Sequence, residues 1–328
     1  MPEPLSPLEK KILDRIQWDF PLSEDPYAEI AAAVGSTSGE VGAAIEHLRQ
    51  SGVIRRIGGS FAPGRLGYVS VLVAARVEPN HITAAAATVS AFPEVTHNYE
   101  RDGLYNLWFT VVAESAERID EILRRVKACN GVLSIHALPA LRTFKLRVDF
   151  RFDDEREAEE AVPSRQSAAP MLDEIDRRII ARASGDLPRS PHPFLDMAHE
   201  LAVGEDELLA RLRSYRESGV LRRLGAILRH QLAGFVANGM SVWRVPPQEV
   251  ERIGELMAAC PEISHCYERP ALPDWPYSVY AMIHGRSKEE CLAVASRLSR
   301  DTSIREYRVL FSLREFKKTS RQYGVELD

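Results

Sequence analysis

The chain repeats itself. Ser-Gly-Val-Ile-Arg-Arg-Ile-Gly begins at Ser51, and Ser-Gly-Val-Leu-Arg-Arg-Leu-Gly begins at Ser218, 167 positions later. The same shift pairs Pro26-Tyr27 with Pro193-Phe194, Ile12-Leu13 with Ile179-Ile180, and Gly67-Tyr68 with Gly234-Phe235. With one more residue of offset, His97-Asn-Tyr-Glu-Arg101 pairs with His265-Cys-Tyr-Glu-Arg269. After a longer insertion, Arg142-Thr-Phe-Lys145 pairs with Arg314-Glu-Phe-Lys317. Two copies are too few, and each too long, for a solenoid, so the repeat is a tandem duplication. A length of 328 residues leaves room for several ordinary domains.

Each copy reads in two parts. Leu8, Ile12, Leu13 and Ile16 follow helical spacing, as do Leu172, Ile175, Ile179 and Ile180. Short helices are expected over Tyr27–Val34 and from Gly39 to Gln50, the latter ending at Gly52. Val53–Ile57 and a following segment read as two wing strands, completing a winged helix-turn-helix. Beyond it, Tyr68–Arg76 is β-rich and Ile82–Phe92 is an Ala-rich helix. Glu94–Arg101 and Tyr105–Val112 read as strands joined at Asp102-Gly103. Ala116–Cys129 reads as a helix, and Val132–Ala137 as a strand running on toward Phe144–Phe150. The order βαββαβ is the ferredoxin-like split pattern. The expected fold is thus α+β, a tandem repeat of winged helix-turn-helix plus ferredoxin-like βαββαβ domain. The bounds are 1–62 and 63–152 for the first copy, 171–229 and 230–328 for the second. Residues 153–170, charged and then Pro/Ser/Ala-rich, form a linker.

Composition limits the function. A net charge of -5 gains nothing from counterion release on a phosphate backbone. A recognition helix presents its N-terminal residues to base edges, yet the two candidates start at Ser-Thr-Ser-Gly-Glu40 and Gly-Glu205-Asp206-Glu207. Those carboxylates suit a helix dipole and repel phosphate, so DNA is not the expected partner. Arg55-Arg56 and Arg222-Arg223 come later, at the wing, where guanidinium forks match phosphates or carboxylates equally. No apolar run reaches membrane-spanning length and no signal peptide is visible. The cysteines Cys129, Cys260, Cys266 and Cys291 form no C-x-x-C pair. They read as free thiols of a cytoplasmic protein.

Four groups recur in both copies: a His, an Arg four residues later, a Tyr (Tyr105) opening the next strand, and the R-x-F-K strand. Strand alternation sets His97, Tyr99 and Arg101 on one face, and likewise His265, Tyr267 and Arg269. Sheet faces under helices are normally aliphatic. These rows either line a site or meet the other copy and satisfy each other across the interface. Arg142, Lys145, Arg314 and Lys317 add cations, or belong to a solvated strand edge, as do Arg147 and Arg308. Trp108 suits a core. Trp275, in the inserted Pro-Ala-Leu-Pro-Asp-Trp-Pro loop, either sits in that loop or stacks on a flat ligand. His136 lacks a His in the second copy, and His47, His81, His192, His199 and His284 read as surface or structural. His230, just after the wing arginines, stands apart. The cations, aromatics and imidazoles together describe a pocket for a flat polyanion. Walker, dinucleotide, zincin and nucleophile-elbow signatures are missing from the sequence.

The winged helix followed by βαββαβ resembles the Lrp/AsnC regulators. The motifs SGV-I/L-RR-I/L-G, P-E-V/I-x-H-x-Y-E-R, Y-N-L-W-F and R-x-F-K resemble those of siroheme decarboxylases, over nearly the whole chain apart from the linker. Those enzymes share the regulator fold, occur as two related subunits or a fused pair, and serve haem-making pathways. The resemblance implies removal of the carboxyl groups of two acetate side chains from siroheme, giving didecarboxysiroheme, with no added cofactor and the iron carried by the substrate. It casts His97, His265, Tyr99 and Tyr267 as catalytic. Arg55, Arg56, Arg101, Tyr105, Arg142, Lys145, Arg222, Arg223, Arg269, Trp275, Arg314 and Lys317 would bind substrate. His97 or His265 either donates the proton or ligates the siroheme iron. The expected partners are siroheme and the other copy, with further oligomerisation open. The second copy departs from the pattern at Tyr277-Ser-Val-Tyr280 and at its loop insertion, so the sites need not be equivalent. A tandem ligand-sensing regulator and a haem carrier are the alternatives.

Overall fold

A computed structural model of the chain describes residues 5–146, 171–228, 237–319 and 323. The expected linker 153–170, His230 and Arg147 lie outside the described residues, and the strand expected over Phe144–Phe150 is followed only to Leu146. The described elements gather into two compact units, one from each kind of segment, with both copies contributing to each.

The helical unit holds α1 (Pro7–Ile16), α2 (Pro26–Val34), α3 (Ser38–Gln50) and β1 (Ile54–Phe61) of the first copy. The second copy supplies α6 (Glu174–Ala183), α7 (Pro193–Leu201), α8 (Glu205–Glu217) and β7 (Leu221–Leu228). Local chemistry sets the helix starts. Ser6 and Glu9 form a reciprocal cap on α1, and Thr37 and Glu40 do so on α3. The wing differs from expectation. After β1 the first copy makes only a 3-10 turn at Pro63–Leu66, and β1 pairs antiparallel with β7 of the other copy. Gly58 and Gly225, the last residues of the repeated octapeptide, face each other in that ladder. A Cβ on Gly58 would lie 2.0 Å from the Gly185 carbonyl oxygen, and one on Gly225 2.6 Å from that of Ile16. Each glycine therefore admits the helix end of the opposite copy. Arg49 pairs with Asp186 at 2.6 Å and Arg216 with Asp19 at 2.9 Å, the same contact written twice. Such reciprocity marks a two-fold-like interface.

The second unit is one nine-stranded sheet with helices. It contains β2 (Val69–Val77), α4 (Ile82–Ala91), β3 (Val95–Arg101), β4 (Leu107–Ala113), α5 (Ala116–Lys127), β5 (Val132–Pro139) and β6 (Arg142–Leu146). The second copy adds β8 (Ala237–Trp243), α9 (Val250–Ala259), β9 (Ile263–Glu268), β10 (Val279–Gly285), α10 (Lys288–Thr302) and β11 (Tyr307–Lys318). Strand order is β5-β2-β4-β3-β11-β8-β10-β9-β6. The first four strands are one ferredoxin-like set; β11-β8-β10-β9 are the other. β11 pairs with β8 of its own copy along its first half and with β3 of the other copy along its second. In the first copy, β5 stays at home beside β2 while β6 crosses to β9. The two ends of the sheet are thus consecutive in the chain, and the sheet curls back on itself.

Each copy buries an aliphatic core under its own helices. Val73, Leu107, Val111 and Ile122 belong to one, Ile253, Val279, Ile283 and Ala295 to the other. The opposite faces meet in a third cluster, mixing Ala74, Tyr105, Trp108 and Leu138 with Met240, Val242, Trp275, Tyr280 and Leu310. All four cysteines are free, and burial pushes the Cys266 thiol up to about 12. Among the described residues no helix is long and apolar enough to cross a membrane.

Candidate functional site

The His-Tyr-Arg rows stand on single faces, as alternation requires. His97 stacks against Tyr99 with ring centroids 6.2 Å apart, and the Arg101 guanidinium lies over the Tyr99 ring at 5.4 Å. The second copy repeats this, with His265–Tyr267 at 6.3 Å and Arg269 over Tyr267 at 4.8 Å. Opposed residues in the ladder share a face. That register extends the rows across the sheet. Tyr99, Trp108, Ala74 and His136 lie on one level of the first copy. Tyr267, Tyr280, Val242 and Arg308 lie on the matching level of the second. A bulge falls immediately before each histidine, at Thr96 and at Ser264. Bulges re-aim side chains, and here each brings a hydroxyl beside the imidazole. His97 Nδ1 is 3.0 Å from Thr96 Oγ1, and His265 Nδ1 is 2.7 Å from Ser264 Oγ. All four imidazole and phenol rings of the rows are half-buried.

The arginines at the row ends are held by the opposite copy. Arg101 donates to the Leu310 carbonyl at 2.9 Å, and Arg269 donates to the Leu138 carbonyl. Burial pulls the Arg101 guanidinium down to about 10 and lowers Arg269 in the same way.

The R-x-F-K segments are likewise engaged. Arg142 pairs with Glu268 at 3.3 Å and Glu251 at 3.4 Å; Arg314 pairs with Glu100 and donates to Thr83 Oγ1 at 3.2 Å. Phe144 packs on α9, where a Cβ on Gly254 would strike its ring at 2.4 Å, and Phe316 packs into the first copy's core. Lys145 donates to the Cys260 carbonyl at 2.8 Å, while Lys317 donates to those of Ser90 at 2.9 Å and Phe92 at 2.7 Å. Those carbonyls end α9 and α4, where a cation is favoured. The Arg, Phe and Lys of each motif thus reach from one copy into the other, while Arg142 and Arg314 stay about half exposed, at 51% and 48%, and β6 is an edge strand.

Trp275 is 1% exposed. Its ring lies 5.5 Å from Tyr105 and 5.9 Å from Trp108, and its N–H donates to Tyr280 Oη at 2.9 Å. The structure gives it a core position between the two faces, not that of an exposed stacking platform. Trp108 is buried in the same cluster. Tyr105 is also buried there, donating to both Asp274 oxygens at 3.1 Å, with His136 edge-on at 5.5 Å. In the second copy Tyr277 and Arg308 occupy the matching positions, joined by a 2.9 Å hydrogen bond.

Arg55, Arg56, Arg222 and Arg223 belong to the helical unit. Arg56 donates to the Ser184 and Gly185 carbonyls at 2.7 and 3.0 Å, capping α6 of the other copy. Arg223 lies over the Trp18 ring at 5.1 Å, and burial beside Arg56 lowers it to about 10. Arg55 and Arg222 are exposed.

Two features escaped the sequence reading. Arg76 and Arg244 repeat within Ala-Arg-Val-Glu-Pro and Trp-Arg-Val-Pro-Pro, a legible signal; Arg76 stands two residues from Ala74 on the same face. His284, which carries no repeat signal, lies beside Ser264 with Nε2 2.8 Å from its Oγ.

Comparison with known proteins gives one answer. A family model described as an AsnC-like ligand binding domain matches residues 65–145 and 232–317, and one described as a siroheme decarboxylase NirDL-like HTH domain matches 9–55 and 176–222. The siroheme decarboxylase of Hydrogenobacter thermophilus is 37% identical over 96% of this chain and 95% of its own length. A siroheme decarboxylase beta subunit from Methanosarcina barkeri is 42% identical over 48% of this chain and all of its own. The crystal structure of the siroheme decarboxylase NirDL in complex with an iron-uroporphyrin III analogue is 33% identical, with a TM-score of 0.72, covering 96% of this chain and 94% of that one.

Proposed function

This chain belongs to the siroheme decarboxylase family, and on that premise we propose that it removes the carboxyl groups of two acetate side chains from siroheme, yielding didecarboxysiroheme. The observation that carries the assignment of roles is the pair of half-buried His-Tyr rows, each stacked on a sheet face beside a bulge.

Loss of carbon dioxide leaves an electron pair that the conjugated ring accepts, and a proton must then reach the former methylene. Imidazole titrates near working pH and suits that task. His97 and His265 are the groups for it, or for binding the iron that arrives with the substrate. Tyr99 and Tyr267 present their rings alongside. A cation on the departing carboxylate would stabilise the ground state and slow its loss. Arg101 and Arg269 turn toward carbonyls of the opposite copy, which keeps their charge engaged there. We assign these two, with Arg142, Lys145, Arg314 and Lys317, chiefly to holding the copies in register. Carboxylates that do not react are pinned by an exposed guanidinium of the sheet unit, for which Arg76 is the candidate. No cofactor is added, and the protein acts in haem biosynthesis in the cytoplasm.

The test is incubation of the full chain with siroheme under reducing, oxygen-free conditions. Mass spectrometry is expected to record a product lacking two carboxyl groups. Unchanged siroheme that nonetheless stays bound would reduce the protein to a carrier, and salt-dependent retardation of DNA would favour a regulator.

A further inference from the structure

The two imidazoles differ in what stands behind them. The Thr96 hydroxyl beside His97 has the Thr110 carbonyl oxygen as its other neighbour, at 3.5 Å. The Ser264 hydroxyl beside His265 has instead a second imidazole, with His284 Nε2 at 2.8 Å. His284 is two residues from Met282, which sits directly opposite His265, so it belongs to the same face. The matching residue of the first copy is Val112, opposite Ser70 as His284 is opposite Asn238.

We infer that His284, acting through Ser264, is a positioning residue that holds His265 as the proton-donating imidazole of the second copy. The inference rests on the decarboxylase reading above. A hydroxyl carries one proton and gives it in one direction only, so the chain has a sense. With His265 as imidazolium, Nδ1–H donates to Ser264 Oγ, and Ser264 donates to the lone pair of His284 Nε2. Nε2–H of His265 is left for the substrate. When the acetate C–CO2 bond breaks, its electron pair stays on the methylene carbon and the ring conjugated to it. That carbon takes the Nε2 proton, the N–H pair remains on Nε2, and carbon dioxide leaves. His265 ends neutral with Nδ1–H and the chain intact, and solvent returns the proton to Nε2. A third group that fixes the tautomer and angle of a catalytic imidazole is a recurring device. The first copy has an apolar side chain where that third group would stand.

The experiment compares the full wild-type chain with His284→Val, His284→Gln, Ser264→Ala, His265→Ala and the double variant His265→Ala/His284→Val. Initial rates on siroheme give kcat and KM, an optical titration gives siroheme affinity, and a thermal melt reports folding. His284→Val is expected to lower kcat about tenfold or more, with KM and affinity within about twofold. Gln, whose amide oxygen accepts the Ser264 proton, restores part of the rate. The double variant is expected to be no slower than His265→Ala, because the two act as one unit. Should His284→Val fail to fold, Ser264→Ala cuts the same chain with a smaller change and carries the same expectation. Wild-type kcat in both chain-breaking variants, a loss confined to KM, or a fully additive double variant would overturn the inference. A wild-type chain inert toward siroheme would instead sink the decarboxylase reading, and this inference with it.

Discussion

The first-copy and second-copy faces of the sheet share their fastenings and differ in their platforms. Both anchor the row arginine on a carbonyl of the opposite copy and tie R-x-F-K to the opposite helix. Around the histidines the match is partial. Thr110, Leu72 and Leu138 share the His97 level, whereas Met282, Met240 and Leu310 share that of His265. Trp108 and His136 on one side answer to Tyr280 and Arg308 on the other. The ties between the copies have thus been kept, while residues that share the levels of the histidine and tyrosine rows have changed.

The sharpest way to break this contrast is kinetic. His265→Ala is expected to reduce kcat on siroheme about a hundredfold or more, and His97→Ala by less than about tenfold; equal losses would erase the distinction between the faces. The fastenings should behave oppositely, with symmetric effects. Gly58→Ala and Gly225→Ala each force a Cβ into a carbonyl of the other copy, and each is expected to cost about 3 kcal/mol in urea unfolding. One variant that melts normally would show that the helical unit is not held as described. Arg101→Met and Arg269→Met leave carbonyls of the opposite copy without their donor, for a loss of about 2 kcal/mol each. A difference between them larger than that loss would mean the two ties are not equivalent. The smallest effect concerns pH. Burial pushes the Glu262 carboxyl up, but hydrogen bonds from the Cys260 thiol and Arg297 outweigh it, so the group sits below its ordinary value. Its stabilisation is therefore complete above the unfolded-state pKa of about 4.3 and fades as pH falls through the lower folded value. Glu262→Gln is expected to lower the urea midpoint slightly at pH 7, and by less as the pH falls below the unfolded-state value.

Much of this was legible in the chain. The repeat, the helix starts and the βαββαβ order follow from periodicity and caps, and alternation along Val95–Arg101 correctly set His97, Tyr99 and Arg101 side by side. What stayed hidden was the identity of partners. A strand's sequence records which side is apolar, not which neighbour it pairs with, so the crossing of β6 and β11 and the β1–β7 ladder could not be read. For the same reason Lys317 looks like a solvated cation until its carbonyl partners are seen. Trp275 stood in a Pro-rich insertion, which reads as loop, and only the packing of two faces shows why a large ring is needed there. His284 lacks a twin and so reads as surface or structural. The bulge that brings Ser264 to it is an irregularity that no period contains.

The crossing strands have a consequence for how the protein exists at all. β6 completes the sheet of the second copy and β11 that of the first, so neither half owns a finished edge. Were the halves separate polypeptides, the finished sheet would form or fall apart with their abundance. Carried on one tether, each half meets the other at an effective concentration set by the connecting segment, and dilution no longer governs whether the fold closes.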